Sequence, residues 1–134
     1  MTSFNFNVVV FISLMVAAMA FYVSPQPTIY VVGDDDGWNI PGYPTFYDKW
    51  ASIHDLYVGD SLQFNFKDDE HDVAETDEQT YDECNTDEAD PDITKGGGII
   101  NLTTEGVHHF ISTIKDDCQS HLKLAVYVNP SSSA

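Results

Sequence analysis

Hydrophobic and polar positions along this chain alternate in short runs that are separated by turn-forming residues. Leu62, Phe64 and Phe66 stand at every second position, so a strand here places all three on one face. The predicted strands are residues 29–32, 56–58, 61–66, 99–102, 109–111 and 122–128. Residues 46–53 instead carry large apolar side chains at helical spacing, which predicts one short helix. Together these elements are typical of an antiparallel sandwich or barrel.

The N-terminal segment has a different composition. Residues 8–20 are apolar and uncharged and end in Ala-Met-Ala, which matches a signal-peptide cleavage site. We interpret residues 1–20 as a secretory signal peptide, 21–27 as a short linker, 28–128 as the folded domain and 129–134 as a short polar tail. An uncleaved anchor, or a core strand or helix, is the alternative, because no basic residue precedes the apolar run. The tail carries no apolar anchor signal, so we expect a soluble secreted product without a stable membrane span.

The charge balance is strongly acidic. Five Lys and no Arg stand against 22 Asp and Glu, which gives a net charge of -17. Such a surface repels phosphate backbones and anionic membrane leaflets. Nucleic-acid binding and peripheral membrane docking are therefore excluded as functions.

Thirteen of the carboxylates lie within residues 67–92. We interpret this stretch as a solvated, mobile loop region that keeps the protein soluble. A Ca²⁺ site is the alternative, because hard cations take clustered oxygen ligands. Its nearest approach, Asp34 to Gly37, has consecutive aspartates instead of the alternating ones of a calcium-binding loop.

Three further features bear on modification and chemistry. Cys84 and Cys118 are the two cysteines, and in an exported chain they indicate a disulfide, with free thiols or half a metal site as alternatives. Asn101 begins an Asn-Leu-Thr glycosylation acceptor, although it lies inside a predicted strand. Ser112 and His109 have no recognised catalytic motif around them, so we expect no enzymatic activity.

Several segments, in order, resemble the phytocyanins, the plant branch of the cupredoxins. They are residues 32–34 with 37–38, 47 with 50–51, 58–62, 64–66 with 71–73, 81 with 84, 106 with 110–111, and 118 with 123–125. The similarity covers residues 28–128. It implies an all-β Greek-key β-sandwich of seven to eight strands with one or two short helices.

The resemblance also implies where a copper site would lie. A type I site holds copper with two imidazoles, one thiolate and a weak axial ligand. The matching positions are His71, Ser112 in place of the Cys, Asp117 in place of the second His, and Leu122 in place of Met or Gln. Since a hydroxyl is a weak, hard donor and Leu is none, we expect no copper and no other cofactor. The Phe-Ile-Ser sequence at residues 110–112 resembles that of the copper-free early-nodulin-like subgroup. That subgroup usually also lacks the histidine that matches His71.

Two functional hypotheses follow. The first is a secreted, copper-free binding or structural module at the plant cell surface or wall, with extracellular-matrix or cell-surface glycans or proteins as partners. The second is a blue-copper-type electron transfer protein with an altered metal site, which alone would carry copper. A different metal site from His71, Asp117 and the histidines at 108, 109 and 121 is also conceivable. We favour the interpretation that these are ordinary surface histidines, because the acids on either side of His71 explain its presence without a metal.

Overall fold

A computed structural model describes residues 26–131 of the chain. The predicted signal peptide, most of the predicted linker and the end of the predicted tail lie outside the described residues. Within residues 26–131, no helix is both long and apolar enough to cross a membrane.

The described residues form two β-sheets and two short helices. The strands are β1 (Ile29–Val31), β2 (Leu56–Tyr57), β3 (Ser61–Phe64), β4 (Ala74–Thr76), β5 (Gly98–Asn101), β6 (Gly106–Ile111) and β7 (Lys123–Asn129). The helices are α1 (Phe46–Ser52) and α2 (Glu78–Glu83), and 3-10 turns lie at Asp34–Asp36 and Thr86–Glu88. The predicted all-β sandwich is confirmed, and each predicted strand overlaps an observed one.

Strand pairing differs from the expected antiparallel pattern. One sheet has the order β1-β3-β5 and the other β2-β7-β6-β4. β1 runs parallel to β3, and β2 runs parallel to β7, whereas the other pairs are antiparallel. Among the described residues, the antiparallel prediction holds for three of the five strand pairs and is wrong for the two parallel ones. The alternation of apolar and polar residues indicates which face a residue takes and carries no information on strand direction.

The core lies between the two sheets. Leu62 and Phe64 of β3 are fully buried, as the alternating pattern predicts, and Phe110 of β6 faces them from the other sheet. The rings of Phe64 and Phe110 have centroids 5.6 Å apart, and Trp38 packs edge to face on Phe64 at 5.0 Å. Burying these aromatic rings supplies much of the free energy that holds the two sheets together.

The acidic stretch, residues 67–92, was predicted to be a mobile loop, and that prediction was wrong. It contains β4, α2 and a 3-10 turn. Asp77 caps α2, since its side chain accepts a hydrogen bond from the backbone N–H of Thr80 at 2.7 Å. That bond lowers the pKa of Asp77. A carboxylate in this position stabilises a helix start, so acidic composition does not exclude regular structure.

Helix α1 buries Tyr47 and Trp50 against the core. The Tyr47 hydroxyl donates to the carbonyl oxygen of Gly37 at 2.8 Å and accepts from the backbone N–H of Asn39 at 2.9 Å. Burial raises the pKa of Tyr47 to about 12, with Asp36 acting in the same direction. The neutral phenol is therefore favoured in the folded state.

We expect a corresponding loss of stability at high pH. Since the folded pKa of Tyr47 lies above its ordinary value, its contribution is complete below about pH 10 and is lost as pH rises towards about 12. Tyr47→Phe should remove one late step from a phenolate absorbance titration and flatten this part of the stability profile. Tyr127→Phe, at a residue that is 59% exposed, is the control. An unchanged titration of the Tyr47 variant would contradict the assignment.

Candidate functional site

The connection from β6 to β7 carries three of the four positions that the resemblance singled out. Ser112 follows β6 directly and Leu122 directly precedes β7. The Ser112 N–H donates to the Leu122 carbonyl oxygen at 3.1 Å, which extends the strand pairing by one step. The Leu122 N–H in turn donates to the carbonyl oxygen of Asp117 at 3.0 Å. These backbone hydrogen bonds fix the positions of Ser112, Asp117 and Leu122 relative to one another.

One carboxylate oxygen joins the side chains of the site. Asp117 Oδ2 accepts a hydrogen bond from Ser112 Oγ at 2.6 Å and lies 2.8 Å from His71 Nδ1. The Ser112 side chain is fully buried, and those of His71 and Asp117 are 11% and 13% exposed. The loop between β3 and β4, which supplies His71, is thereby tied to the β6–β7 connection.

A second carboxylate, Asp72, lies beside these three side chains, and it was noted from the sequence only as an acidic neighbour of His71. It is 4% exposed and accepts from the backbone N–H of Thr113 at 2.6 Å and from the Thr113 hydroxyl. Ser112 Oγ lies 3.4 Å from Asp72 Oδ1, and the Trp38 indole N–H donates to the Asp72 carbonyl oxygen at 2.9 Å. A carboxylate buried to this extent needs hydrogen-bond partners, and Thr113 supplies them.

His71 does not pair with the acids beside it in sequence. The acids beside it in sequence were taken to account for it, but Asp72 is bound to Thr113, and Glu70 lies 3.8 Å from Lys67. The partner is Asp117, 46 residues further along the chain. That long-range contact depends on the fold and not on local sequence.

Comparison with known proteins identifies the family. A family model described as a plastocyanin-like domain matches residues 38–122. Cucumber peeling cupredoxin from Cucumis sativus is 39% identical over 105 residues, which are 77% of this chain and 77% of that protein. The chain belongs to the phytocyanin family. Early nodulin-like protein 9 of Arabidopsis thaliana is 33% identical over 74% of this chain and 49% of its own length.

The structure of cucumber stellacyanin, in a Cu²⁺ form, matches this phytocyanin with a TM-score of 0.75 and 36% identity. The match covers 80% of this chain and 99% of the stellacyanin chain. The two-sheet sandwich is therefore a cupredoxin fold, as predicted. An Arabidopsis thaliana blue copper protein is 35% identical over 92% of this chain, which spans 61% of that relative's length.

The residues at the four ligand positions do not fit type I copper. The fully buried Leu122 offers no donor atom, and the Ser112 hydroxyl uses its proton to bind Asp117. A neutral hydroxyl does not replace a thiolate, because a thiolate is both charged and soft. Asp117 has its Oδ2 already engaged by two neighbours. This arrangement is a hydrogen-bonded cluster that holds two loops together, which we call the Asp117 cluster (His71, Asp72, Ser112, Thr113, Asp117).

The other histidines of the β6–β7 region do not join this cluster. His108 Nδ1 bonds to Glu75 Oε1 at 2.5 Å and its Nε2 bonds to the Thr104 carbonyl oxygen at 2.8 Å. His109 packs on the Tyr81 ring with centroids 5.0 Å apart, and His121 is exposed. Among residues 26–131, no group of three or more His, Cys, Asp or Glu side chains is placed to hold a metal ion.

The predicted disulfide between Cys84 and Cys118 is confirmed. Cys84 caps the end of α2, and Cys118 is 1% exposed beside Asp117. Tyr81 of α2 lies under the ammonium of Lys123, which is 4.3 Å from the ring centroid and donates to the Tyr81 carbonyl oxygen at 2.9 Å. Burial raises the pKa of Tyr81 to about 12. The Cys84–Cys118 disulfide therefore fastens α2 to the loop that carries Asp117.

The glycosylation acceptor Asn101 is the last residue of β5 and is exposed. Its Oδ1 accepts a hydrogen bond from Ser61 Oγ at 2.7 Å. Attachment of a glycan at Asn101 stays a prediction.

Proposed function

We propose that this chain is a secreted phytocyanin that works without type I copper, as a binding or structural module at the plant cell surface or wall. The observation that carries the proposal is the Asp117 cluster, in which Ser112 and His71 both bind one carboxylate oxygen, at 2.6 Å and 2.8 Å. In such a site the polar side chains are hydrogen-bonded to one another. We therefore assign no electron transfer step to it.

The cluster has a structural role that copper ligation would otherwise supply. In a type I site the metal joins ligands from separate loops. Here Asp117 joins the β3–β4 loop, through His71, to the β6–β7 connection, through Ser112. Asp72 adds a second link to the same connection through Thr113. These hydrogen bonds therefore hold the two loops in place. We assign the binding function to the surface of the protein.

Cell-surface location and the class of partner belong to the same proposal. The apolar segment at residues 8–20 supports secretion. The net charge of -17 disfavours nucleic acids and anionic membranes, which leaves matrix or cell-surface glycans or proteins as the partners. No enzymatic activity is proposed, since the Ser112 hydroxyl is fully buried and its partner, the Asp117 carboxylate, is also bound by His71.

The alternative is a blue-copper-type electron transfer protein with an altered metal site. The similarity to the Cu²⁺ form of cucumber stellacyanin favours it, because the scaffold and His71 are retained. Under this alternative copper would have to be held by His71 and oxygen donors without a thiolate. Such a site would lack the intense thiolate-to-copper absorption.

Metal analysis of the purified secreted protein separates these functions. We expect copper well below one equivalent per chain, and no intense visible band after Cu²⁺ is added and excess is removed. Cucumber stellacyanin, carried through the same purification, is the control for loss of metal. About one tightly bound copper per chain in the native protein would contradict the proposal.

A further inference from the structure

Two cavities are both lined by Tyr43 and Phe46, which form an aromatic ridge. The two rings pack edge to face with centroids 5.8 Å apart. The first cavity, of about 360 Å³, lies between the ridge and the loop that contains Ile40 and Gly42. The second, of about 370 Å³, lies between the ridge and the 3-10 turn Asp34–Asp36. We call the two together the Tyr43 cleft, and no residue of the Asp117 cluster lines it.

The cleft combines apolar walls with charged and polar groups at its rim. Tyr43 and Ile40 are each 45% exposed and give it apolar surface. Asp36 lines both cavities, and Lys49 lines the second. Ligand sites commonly have volumes of about 300–1,000 Å³, mostly apolar walls and a few polar groups, and both cavities meet this description.

Trp50 also lines the second cavity and carries an unsatisfied donor. Its side chain is 4% exposed, and its buried Nε1–H finds no acceptor among residues 26–131. Buried indole N–H groups in folded proteins usually have a hydrogen-bond partner. Because the Nε1 atom is itself buried, this donor is not open to the cavity, and Trp50 contributes only to the cavity wall.

We propose that the Tyr43 cleft binds a neutral oligosaccharide, with the Tyr43–Phe46 ridge lying between two adjacent sugar rings. A sugar ring has apolar C–H faces, which are attracted to the negative face of an aromatic ring, and a rim of hydroxyls that donate to carboxylates. The cleft presents both partners, because Tyr43, Phe46 and Asp36 line both of its cavities. This inference rests on the proposed function and names a partner class for it.

Charge decides which class of glycan fits. Asp34, Asp35 and Asp36 are exposed at the rim, so an acidic glycan is repelled. A cationic ligand would bring a second positive charge beside Lys49, which lines the second cavity with its Nζ 5.0 Å from the Tyr43 ring centroid. A neutral glycan carries neither charge and is the class that remains.

Gly42 offers a way to close the first cavity without straining the fold. A Cβ built at Gly42 meets no atom within 4 Å, and Gly42 is absent from the positive-φ residues of the described range. Gly42→Trp therefore fills open space, whereas Tyr43→Ala removes the ridge. Tyr127→Ala is the matched control, because Tyr127 is a 59% exposed tyrosine on the opposite side of β7 from the core.

The test is calorimetric titration of the purified secreted protein with cellohexaose and with a xyloglucan oligosaccharide. We expect at least one of them to bind, and affinity to fall by about tenfold or more in Gly42→Trp and in Tyr43→Ala, while Tyr127→Ala binds as the unmodified protein does. Thermal unfolding checks that each variant is folded. If Tyr43→Ala is unfolded, Gly42→Trp alone decides the result.

Three results would overturn the inference. One is no binding of either neutral oligosaccharide by the unmodified protein. The second is undiminished binding by a folded Gly42→Trp variant. The third is a preference for oligogalacturonate or for chitosan oligomers, which would assign the cleft to a charged glycan. None of these bears on copper content, so failure here leaves the metal analysis as a separate test of the proposed function.

Discussion

A triple variant that combines Ser112→Cys, Asp117→His and Leu122→Met is expected to bind copper and to show an intense thiolate-to-copper band, which we do not expect from the unmodified protein. The geometry favours this outcome, because Ser112 Oγ and His71 Nδ1 already converge on one atom of Asp117, at 2.6 Å and 2.8 Å. Leu122→Met conserves volume at a fully buried position, so the core should accept it. Visible absorption after Cu²⁺ addition is the measurement.

The matched control keeps the serine. A variant with only Asp117→His and Leu122→Met supplies two imidazoles and a thioether but no thiolate, so it should stay without the band even if it binds Cu²⁺. A folded triple variant that retains its Cys84–Cys118 disulfide and shows no band would contradict the interpretation of these positions.

Asp72 adds a second test of the same site. Its Oδ1 lies 3.4 Å from Ser112 Oγ, so its charge would act on a metal ion bound by a thiolate at that position. Because Cu²⁺ replaces one thiol proton, binding adds positive charge beside Asp72, and adding Asp72→Asn to the triple variant should lower copper affinity by about tenfold. Equal affinity of the two variants would show that this carboxylate has no influence on the metal.

The strands could be predicted because half-buried strands impose a period of two on the sequence. Leu62 and Phe64 show that period and are both fully buried. The direction of β1 and β2 could not be predicted, since each pairs in parallel with a strand far along the chain. The resemblance allowed a second short helix, but the residue pattern did not locate α2, because it is six residues long and acidic. It is held by the Asp77 cap and by the bond at Cys84, which no local hydrophobic pattern reveals.

The candidate site could be located from the sequence only through family resemblance. That resemblance named His71, Ser112 and Asp117, and the structure brings their side chains into contact. The contacts of Asp72 with Thr113 were missed because the residues are 41 positions apart, and nothing in the sequence near either one signals the other. Such hydrogen bonds are consequences of sheet packing, so they become visible when the fold is known.

Removal of the disulfide by Cys84→Ala with Cys118→Ala is expected to lower the free energy of unfolding by about 4 kcal/mol, measured by urea denaturation. The bond closes a loop with a sequence separation of 34, and that closure restricts the unfolded chain. The native state also loses a link, because Cys84 ends α2 and Cys118 is 1% exposed in the β6–β7 connection.

Chemical reduction of the unmodified protein is the matched control, since it breaks the bond but keeps both sulfur atoms in place. If loop closure dominates, the reduced protein and the double variant should lose similar stability. If packing of Cys118 dominates, the double variant should be clearly the weaker of the two. Because Asp117 precedes Cys118, reduction should also loosen its contact with His71, which the NMR signals of that imidazole would report. A loss below about 1 kcal/mol in both proteins would mean that the Asp117 cluster and the core hold this loop without the disulfide.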